Sequence, residues 1–164
     1  MISRPARFAI AALVIVLDRL TKYWIETGLG AFDTITVIPG VFNIIHAQNR
    51  GAAFGIFNQT EGALRLLLLV GVSGVVMLYV AYQLWQMPKG AWPSGPIPPL
   101  ALSLVLGGAL GNLYDRVVRG SVTDFLQVFI GSYEWPAFNV ADSAISVGAV
   151  LLLLRLWQTR EKAA

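Results

Sequence analysis

Asp142 stands in Phe138-Asn139-Val140-Ala141-Asp142-Ser143-Ala144-Ile145, with apolar residues on both sides and no cation close to it in the chain. A charged side chain at the centre of a membrane-inserted helix costs roughly 2.5–3.5 kcal/mol on insertion scales, so a carboxylate kept in such a stretch needs a partner or a task. Asn139 precedes it by three positions and shares its helix face. Asp18 and Lys22 are four apart near the end of another apolar stretch. Asn112, Asp115 and Arg116 crowd the end of a third, and Asp124 follows in Val122-Thr123-Asp124-Phe125. A second carboxylate brought beside Asp142 would raise the pKa of one of the two. A pair sharing one proton performs aspartic-protease chemistry: the ionised member takes a proton from water, and the protonated member donates to the scissile carbonyl. Its apparent pKa values belong to the pair. Residue order and spacing leave Asp115 and Asp124 both open as the partner.

Composition narrows the alternatives. There are no cysteines, which removes disulfides, thiol catalysis and cysteine-ligated metal. His46 is the single histidine and there is no H-E-x-x-H, so neither a metal nor another cofactor is expected. Lysines are few: Lys22, Lys89 and Lys162. Hydrophobic residues make up 56% of the chain and charged residues 13%, against about 25% charged in soluble domains. Mean hydropathy is +0.66. The net charge of +3 comes from scattered basic residues rather than a dense run, so they read as interface anchors, and no nucleic acid is expected as partner.

These side chains must be positioned by membrane helices. About 20 apolar residues cross the hydrocarbon core, and the sequence predicts four such helices at about 7–24, 63–85, 97–114 and 137–157. Trp24, Trp85, Trp135 and Trp157 fall near their ends, as an aromatic belt would. The first segment begins like a cleavable signal peptide, with Arg4 and Arg7 before an apolar run. Asp18, Arg19 and Lys22 follow that run at once, which favours a retained helix. In the loop 25–62, the stretches 34–39 and 41–46 read as two short strands around Pro39-Gly40. A Pro/Gly linker spans 86–96, and the polar loop 115–136 contains one more strand-like piece at 125–130. The expected architecture is a single-domain all-α membrane protein over 1–164, with four transmembrane helices and a small extracytoplasmic β platform. Gly107 with Gly111, and Ala144 with Gly148, are spaced for close helix approach.

With both termini in the cytoplasm, Arg4, Arg7, Lys89, Arg155, Arg160 and Lys162 lie inside, and Arg19, Lys22, Arg50, Arg65, Arg116 and Arg119 outside. The count is balanced. All acids except Glu161 also fall outside, so the outer cations have carboxylate partners, and this favours cytoplasmic termini. If the helices alternate, the polar groups meet at one membrane surface. Asp18 with Lys22 reads as an i, i+4 ion pair, and Asp115 with Arg116 as positioning groups. Glu26, Asp33, Glu61 and Glu134 read as solvated loop charges, and His46 as a strand residue.

Five blocks, in order along nearly the whole chain, resemble the motifs of bacterial lipoprotein signal peptidase, the signal peptidase II family. They are Asp18 with Lys22 (D-x-x-x-K), Asn49-Arg50-Gly51-Ala52-Ala53-Phe54-Gly55 (N-x-G-A-x-F-G), Gly111-Asn112-Leu113-Tyr114-Asp115-Arg116 (G-N-x-x-D-R), Val122-Thr123-Asp124-Phe125 (V-x-D-F) and Phe138-Asn139-Val140-Ala141-Asp142 (F-N-x-A-D). Arg19 departs from the Gln of many members. The resemblance implies that Asp124 and Asp142 are the catalytic dyad. It also implies a diacylglyceryl prolipoprotein substrate, cut just before its lipidated cysteine. The location implied is the bacterial inner membrane, with both termini cytoplasmic and the site near the outer face. On that reading Asn49, Gly51, Asn112, Arg116 and Asn139 bind substrate or support the dyad. Asp18, Lys22 and Asp115 are structural polar groups. Membrane lipids are the other partner, the chain acts as a monomer, and 54–62 forms a lid.

Three rivals are a proton-coupled transporter, a non-enzymatic assembly factor, and a Ser–Lys peptidase using Lys22. Four spans without a repeat and acids at one surface disfavour the first. The second explains the polar cluster only as helix glue. No serine stands near Lys22 in sequence to support the third.

Overall fold

The computed structural model describes residues 2–51, 62–87 and 97–161. The expected lid, Glu61 and most of the Pro/Gly linker lie outside the described residues. Elements run in the order α1 (Arg4–Gly28), β1 (Thr34–Ile38), β2 (Phe42–Asn49), α2 (Gly62–Gln86), α3 (Ile97–Arg119), β3 (Val122–Ile130), β4 (Tyr133–Phe138) and α4 (Val140–Glu161).

Local chemistry accounts for the boundaries. Ser3 caps α1 by accepting from Ala6 N–H at 3.4 Å, with Pro5 in the first turn, where its missing N–H is harmless. β1 and β2 are joined by Ile38-Pro39-Gly40-Val41, closed by Val41 N–H donating to Ile38 O at 3.0 Å. Gly40 has φ +72°, which a turn with Pro at its second and Gly at its third position requires. A tight Gly131-Ser132 turn joins β3 to β4, with Ile130 paired to Tyr133.

The strands form one antiparallel sheet in the order β1-β2-β3-β4. Its faces differ because side chains alternate. Asn43 Nδ2 donates to Gln127 Oε1 at 3.0 Å, and Gln127 Nε2 donates to Glu134 Oε1 at 2.7 Å, giving a polar ladder on one face. Asp124, Leu126, Val128 and Ile130 lie on the other. β4 was not foreseen. It occupies residues assigned from sequence to the fourth helix, so α4 starts at Val140 rather than 137 and Trp135 is a strand residue.

α3 is the central helix and touches α1, α2 and α4. Small residues permit this. A Cβ on Gly107 would lie 2.6 Å from Ala11 O of α1, and one on Gly148 of α4 2.7 Å from Ala101 O of α3. A Cβ on Gly108 would collide with Ala141 O. An apolar core of Ala11, Met77, Val80, Leu84 and Leu106 joins α1, α2 and α3. At its end the buried Arg7 guanidinium donates to Leu84 O at 2.9 Å and Met87 O at 3.0 Å, satisfying carbonyls left free at the end of α2.

The polarity of the molecule is inverted. Asp18, Lys22, Asp115 and Asn139 have no solvent exposure, while Leu67, Val72, Leu78, Leu153 and Trp157 are each more than 60% exposed. Lipid is the solvent that suits such a surface. Among the described residues, Leu67–Gln86, Ile97–Arg119 and Val140–Gln158 are long and apolar enough to cross a membrane. α1 is longer than the expected 7–24, and its charges keep it out of that group.

Candidate active site

Asn139 ends β4 and caps α4. Its Oδ1 accepts from Asp142 N–H at 2.9 Å, and its own N–H donates to Asp142 Oδ2 at 3.3 Å. This reciprocal capping box places Asp142 in the first turn of α4, earlier than its expected position one and a half turns in. Asn139 Nδ2 is left free for other acceptors. It donates to Asp124 Oδ1 at 2.7 Å, with longer contacts to Asn112 Oδ1 at 3.2 Å and Thr123 O at 3.4 Å.

The same logic holds at two other asparagines. Asn49 Oδ1 accepts from Gly51 N–H at 3.0 Å, which turns its Nδ2 to Asp124 Oδ2 at 3.0 Å. Asn112 Oδ1 accepts from Lys22 Nζ at 2.9 Å, which turns its Nδ2 to Asp142 Oδ1 at 2.7 Å. An ammonium can only donate, so the carbonyl of Asn112 must face Lys22. Each amide is thus oriented by a scaffold donor and presents N–H to a carboxylate.

The scaffold behind Asn112 is ionic. Lys22 Nζ lies 2.7 Å from Asp18 Oδ2 and 2.7 Å from Asp115 Oδ2. Asp18 Oδ1 accepts from Ala141 N–H at 3.0 Å, tying α1 to the first turn of α4. Gly111 leaves room for this, since a Cβ there would lie 2.8 Å from Asp18 Oδ2. Asp115 is therefore spent on Lys22 and Arg19, away from the open space beside Asp142.

That space is a groove of about 990 Å³ lined by Asn49, Arg50, Asn112, Arg116, Asp124 and Asp142 at its polar end. Trp135, Phe138, Ile145 and Val147 line its apolar part. Arg116 Nη2 donates to Gly51 O at 3.0 Å and holds the loop after β2 in place. Burial pushes the Asp124 carboxyl up to about 6, and the charge of Asp142 acts in the same direction, against the lowering effect of the Asn49 and Asn139 donors. Near neutral pH this carboxyl can therefore exchange a proton, as a general acid or base must.

Some residues differ from expectation. Glu26 is not a solvated loop charge: its side chain is 12% exposed, because α1 runs on to Gly28. It pairs with Arg119 and accepts from Thr123 Oγ1 at 2.7 Å, one residue before Asp124. Arg19 pairs with buried Asp115. The spacing of Arg19, Lys22 and Glu26 on one helix face carried this signal. His46 lies in β2, with Nδ1 2.9 Å from Leu29 O.

A family model described as Signal peptidase (SPase) II matches residues 10–158. The chain is 44% identical over 161 residues to the lipoprotein signal peptidase of Solibacter usitatus, covering 96% of this chain and 93% of that one. It is 44% identical over 149 residues to the lipoprotein signal peptidase of Syntrophotalea carbinolica, covering 91% and 89%. A bacterial membrane enzyme solved in meso at 2.3 Å superposes with a TM-score of 0.85 at 31% identity, over 98% of this chain and 92% of that chain. A second, solved at 1.9 Å, gives 0.79 at 32% identity, over 93% and 92%.

Proposed function

Because the chain belongs to the signal peptidase II family, and so is a membrane peptidase of lipoprotein precursors, we propose that Asp124 and Asp142 are its catalytic pair. On this reading it is an aspartic endopeptidase that cuts a diacylglyceryl-modified prolipoprotein just before the lipidated cysteine. The observation that carries the reading is the convergence of three oriented asparagine amides on these two carboxylates at the polar end of one groove.

The pair shares one proton. The ionised carboxylate takes a proton from water as the water oxygen attacks the scissile carbonyl, and the protonated partner donates to the carbonyl oxygen. Collapse of the tetrahedral intermediate passes a proton to the leaving amine, which becomes the N-terminus of the lipidated cysteine. Asn49, Asn112 and Asn139 hold the carboxylates in register before substrate arrives, and Arg116 with Gly51 shapes the rim. Trp135, Phe138, Ile145 and Val147 offer an apolar wall to the signal helix and acyl chains. Asp18, Lys22 and Asp115 form the ionic base that orients Asn112.

The chain acts as a single domain with four spans. α1 is the fourth, because its charged residues Asp18 and Lys22 turn inward while Leu13, Leu17 and Leu20 face out. Both termini lie in the cytoplasm, and the sheet lies at the outer face of the bacterial inner membrane, where water reaches the scissile bond.

The test is Asp124→Asn and Asp142→Asn, each purified, checked for helical content and melting, and assayed on a diacylglyceryl prolipoprotein. Cleavage falls by roughly 10²–10⁴-fold in each with the fold retained. Substantial turnover by either variant sinks the assignment. Unlipidated precursor is cut poorly, and equal rates for the two precursors would remove lipid recognition.

A further inference from the structure

Asp115 is buried on α3, and two cations reach it from α1. Lys22 Nζ is 2.7 Å from Oδ2, and the Arg19 guanidinium pairs with Oδ1. Lys22 is also committed to Asp18 at 2.7 Å. With Lys22 alone, a single positive charge would face two carboxylates in a place closed to water. Arg19 supplies the missing charge and is built in: its guanidinium lies 5.0 Å from the centre of the Tyr114 ring, and its second nitrogen is 3.9 Å from Glu26. Glu26 has its own cation in Arg119. The acids Asp18, Asp115 and Glu26 are thus balanced one for one by Lys22, Arg19 and Arg119.

This cluster joins the carboxylate pair through one amide. Lys22 donates to Asn112 Oδ1 at 2.9 Å, and Asn112 Nδ2 donates to Asp142 Oδ1 at 2.7 Å. We propose that Arg19 is a positioning residue of the reaction: it brings the buried cluster to zero net charge and so sets the pH range over which Asp124 and Asp142 share one proton. The inference rests on the catalytic reading of that pair. The charged and titratable groups around the pair are Asp18 and Lys22 from α1, Asp115 and Arg116 from α3, and Arg50 after β2. Glu26 and Arg119 act through Thr123, and His46 through Gln48, whose Nε2 lies 3.1 Å from His46 Nε2 and 3.3 Å from Thr123 Oγ1.

Removing the charge of Arg19 leaves a net negative cluster beside a pair that must itself hold one negative charge. Ionising the pair becomes harder, so both limbs of its bell-shaped rate profile move to higher pH. A unit charge about 10 Å away at an effective dielectric near 20 moves such limbs by roughly half a unit to one unit. Removing the charge of Asp115 instead leaves the cluster positive and moves both limbs the other way.

The experiment records kcat/KM against pH for the full-length chain, Arg19→Gln, Arg19→Lys and Asp115→Asn, on a diacylglyceryl-modified precursor peptide. Limbs displaced to higher pH in Arg19→Gln, restored in Arg19→Lys and displaced to lower pH in Asp115→Asn support the proposal. Arg19→Gln and parent limbs that coincide overturn it, whatever the rate, because a merely structural arginine changes yield or rate without a signed shift. If Arg19→Gln does not fold, Arg19→Lys against Asp115→Asn still tests the sign, and equal profiles overturn it. Cleavage retained by Asp124→Asn marks failure of the catalytic reading itself, a result distinct from unmoved limbs in Arg19→Gln.

Discussion

Asn139 and Asp142 exchange hydrogen bonds across the first turn of α4: each side chain accepts from the other's backbone N–H, at 2.9 and 3.3 Å. The helix cap and the presentation of a carboxylate to the groove are therefore one structure. A cap normally contributes about 1 kcal/mol to stability. Here it also frees Asn139 Nδ2 for Asp124.

Capping and orientation separate by substitution. Asn139→Ser keeps an oxygen for the Asp142 N–H but cannot reach Asp124. Its melting temperature stays close to that of the parent, while kcat falls roughly 10- to 100-fold, the worth of a hydrogen bond to a charged group. Asn139→Ala loses both functions and melts lower as well. Thermal melting and initial rates measured in parallel check this; full activity in Asn139→Ser would refute the orienting role.

The elevated Asp124 carboxyl has a stability consequence of definite sign. Burial raises its value from 3.8 to about 6, so the folded state holds the proton more tightly than the unfolded chain. Its contribution is fully present below the unfolded value, declines as pH rises, and is lost above the folded value. The parent therefore loses melting temperature relative to Asp124→Asn between about pH 4 and about pH 7. Parallel melting curves for the two proteins across that window would contradict the assignment.

Gly108 is the tightest approach of α3 to α4, where a Cβ would meet Ala141 O and lie 2.9 Å from Ile145 Cγ1. Gly108→Ala costs about 1–3 kcal/mol by overpacking and lowers cleavage, because Ala141 adjoins Asp142. Gly71→Ala is the control, since nothing lies within 4 Å of the added methyl. It keeps both melting temperature and rate. Equal melting of the two variants would show that α3 and α4 are not in close register.

Arg7 donates to Leu84 O and Met87 O far along α1 from Lys22, about 22 Å at 1.5 Å per residue. Arg7→Met leaves two buried carbonyls without a donor and lowers stability by about 1–3 kcal/mol, with kcat unchanged below the melting range. A fall in kcat that matched the loss of Asn139 would connect this end of the bundle to the site.

The apolar stretches, their caps and their turn residues are local properties, so helices, the Pro39-Gly40 turn and the inverted polarity were legible in the residues themselves. So was Asp142 as an acid in need of a partner. β4 was not, because Tyr133–Phe138 carries the same apolar character as a helix start, and only pairing with β3 makes it a strand. Glu26 was misread for the same reason: its partners Arg119 and Thr123 are distant in sequence. Spacing reports only neighbours three or four residues apart on one element. The choice between Asp115 and Asp124 depended on groups from separate elements. Lys22 and Arg19 of α1 claim Asp115, while Asn49 and Asn139 turn their amides to Asp124. Those contacts exist only because Gly107, Gly108 and Gly111 let three helices close around one another. The sequence by itself determined which groups must leave the lipid, and the tertiary structure decided which of them meet, because each amide and carboxylate is oriented by a donor carried on another element.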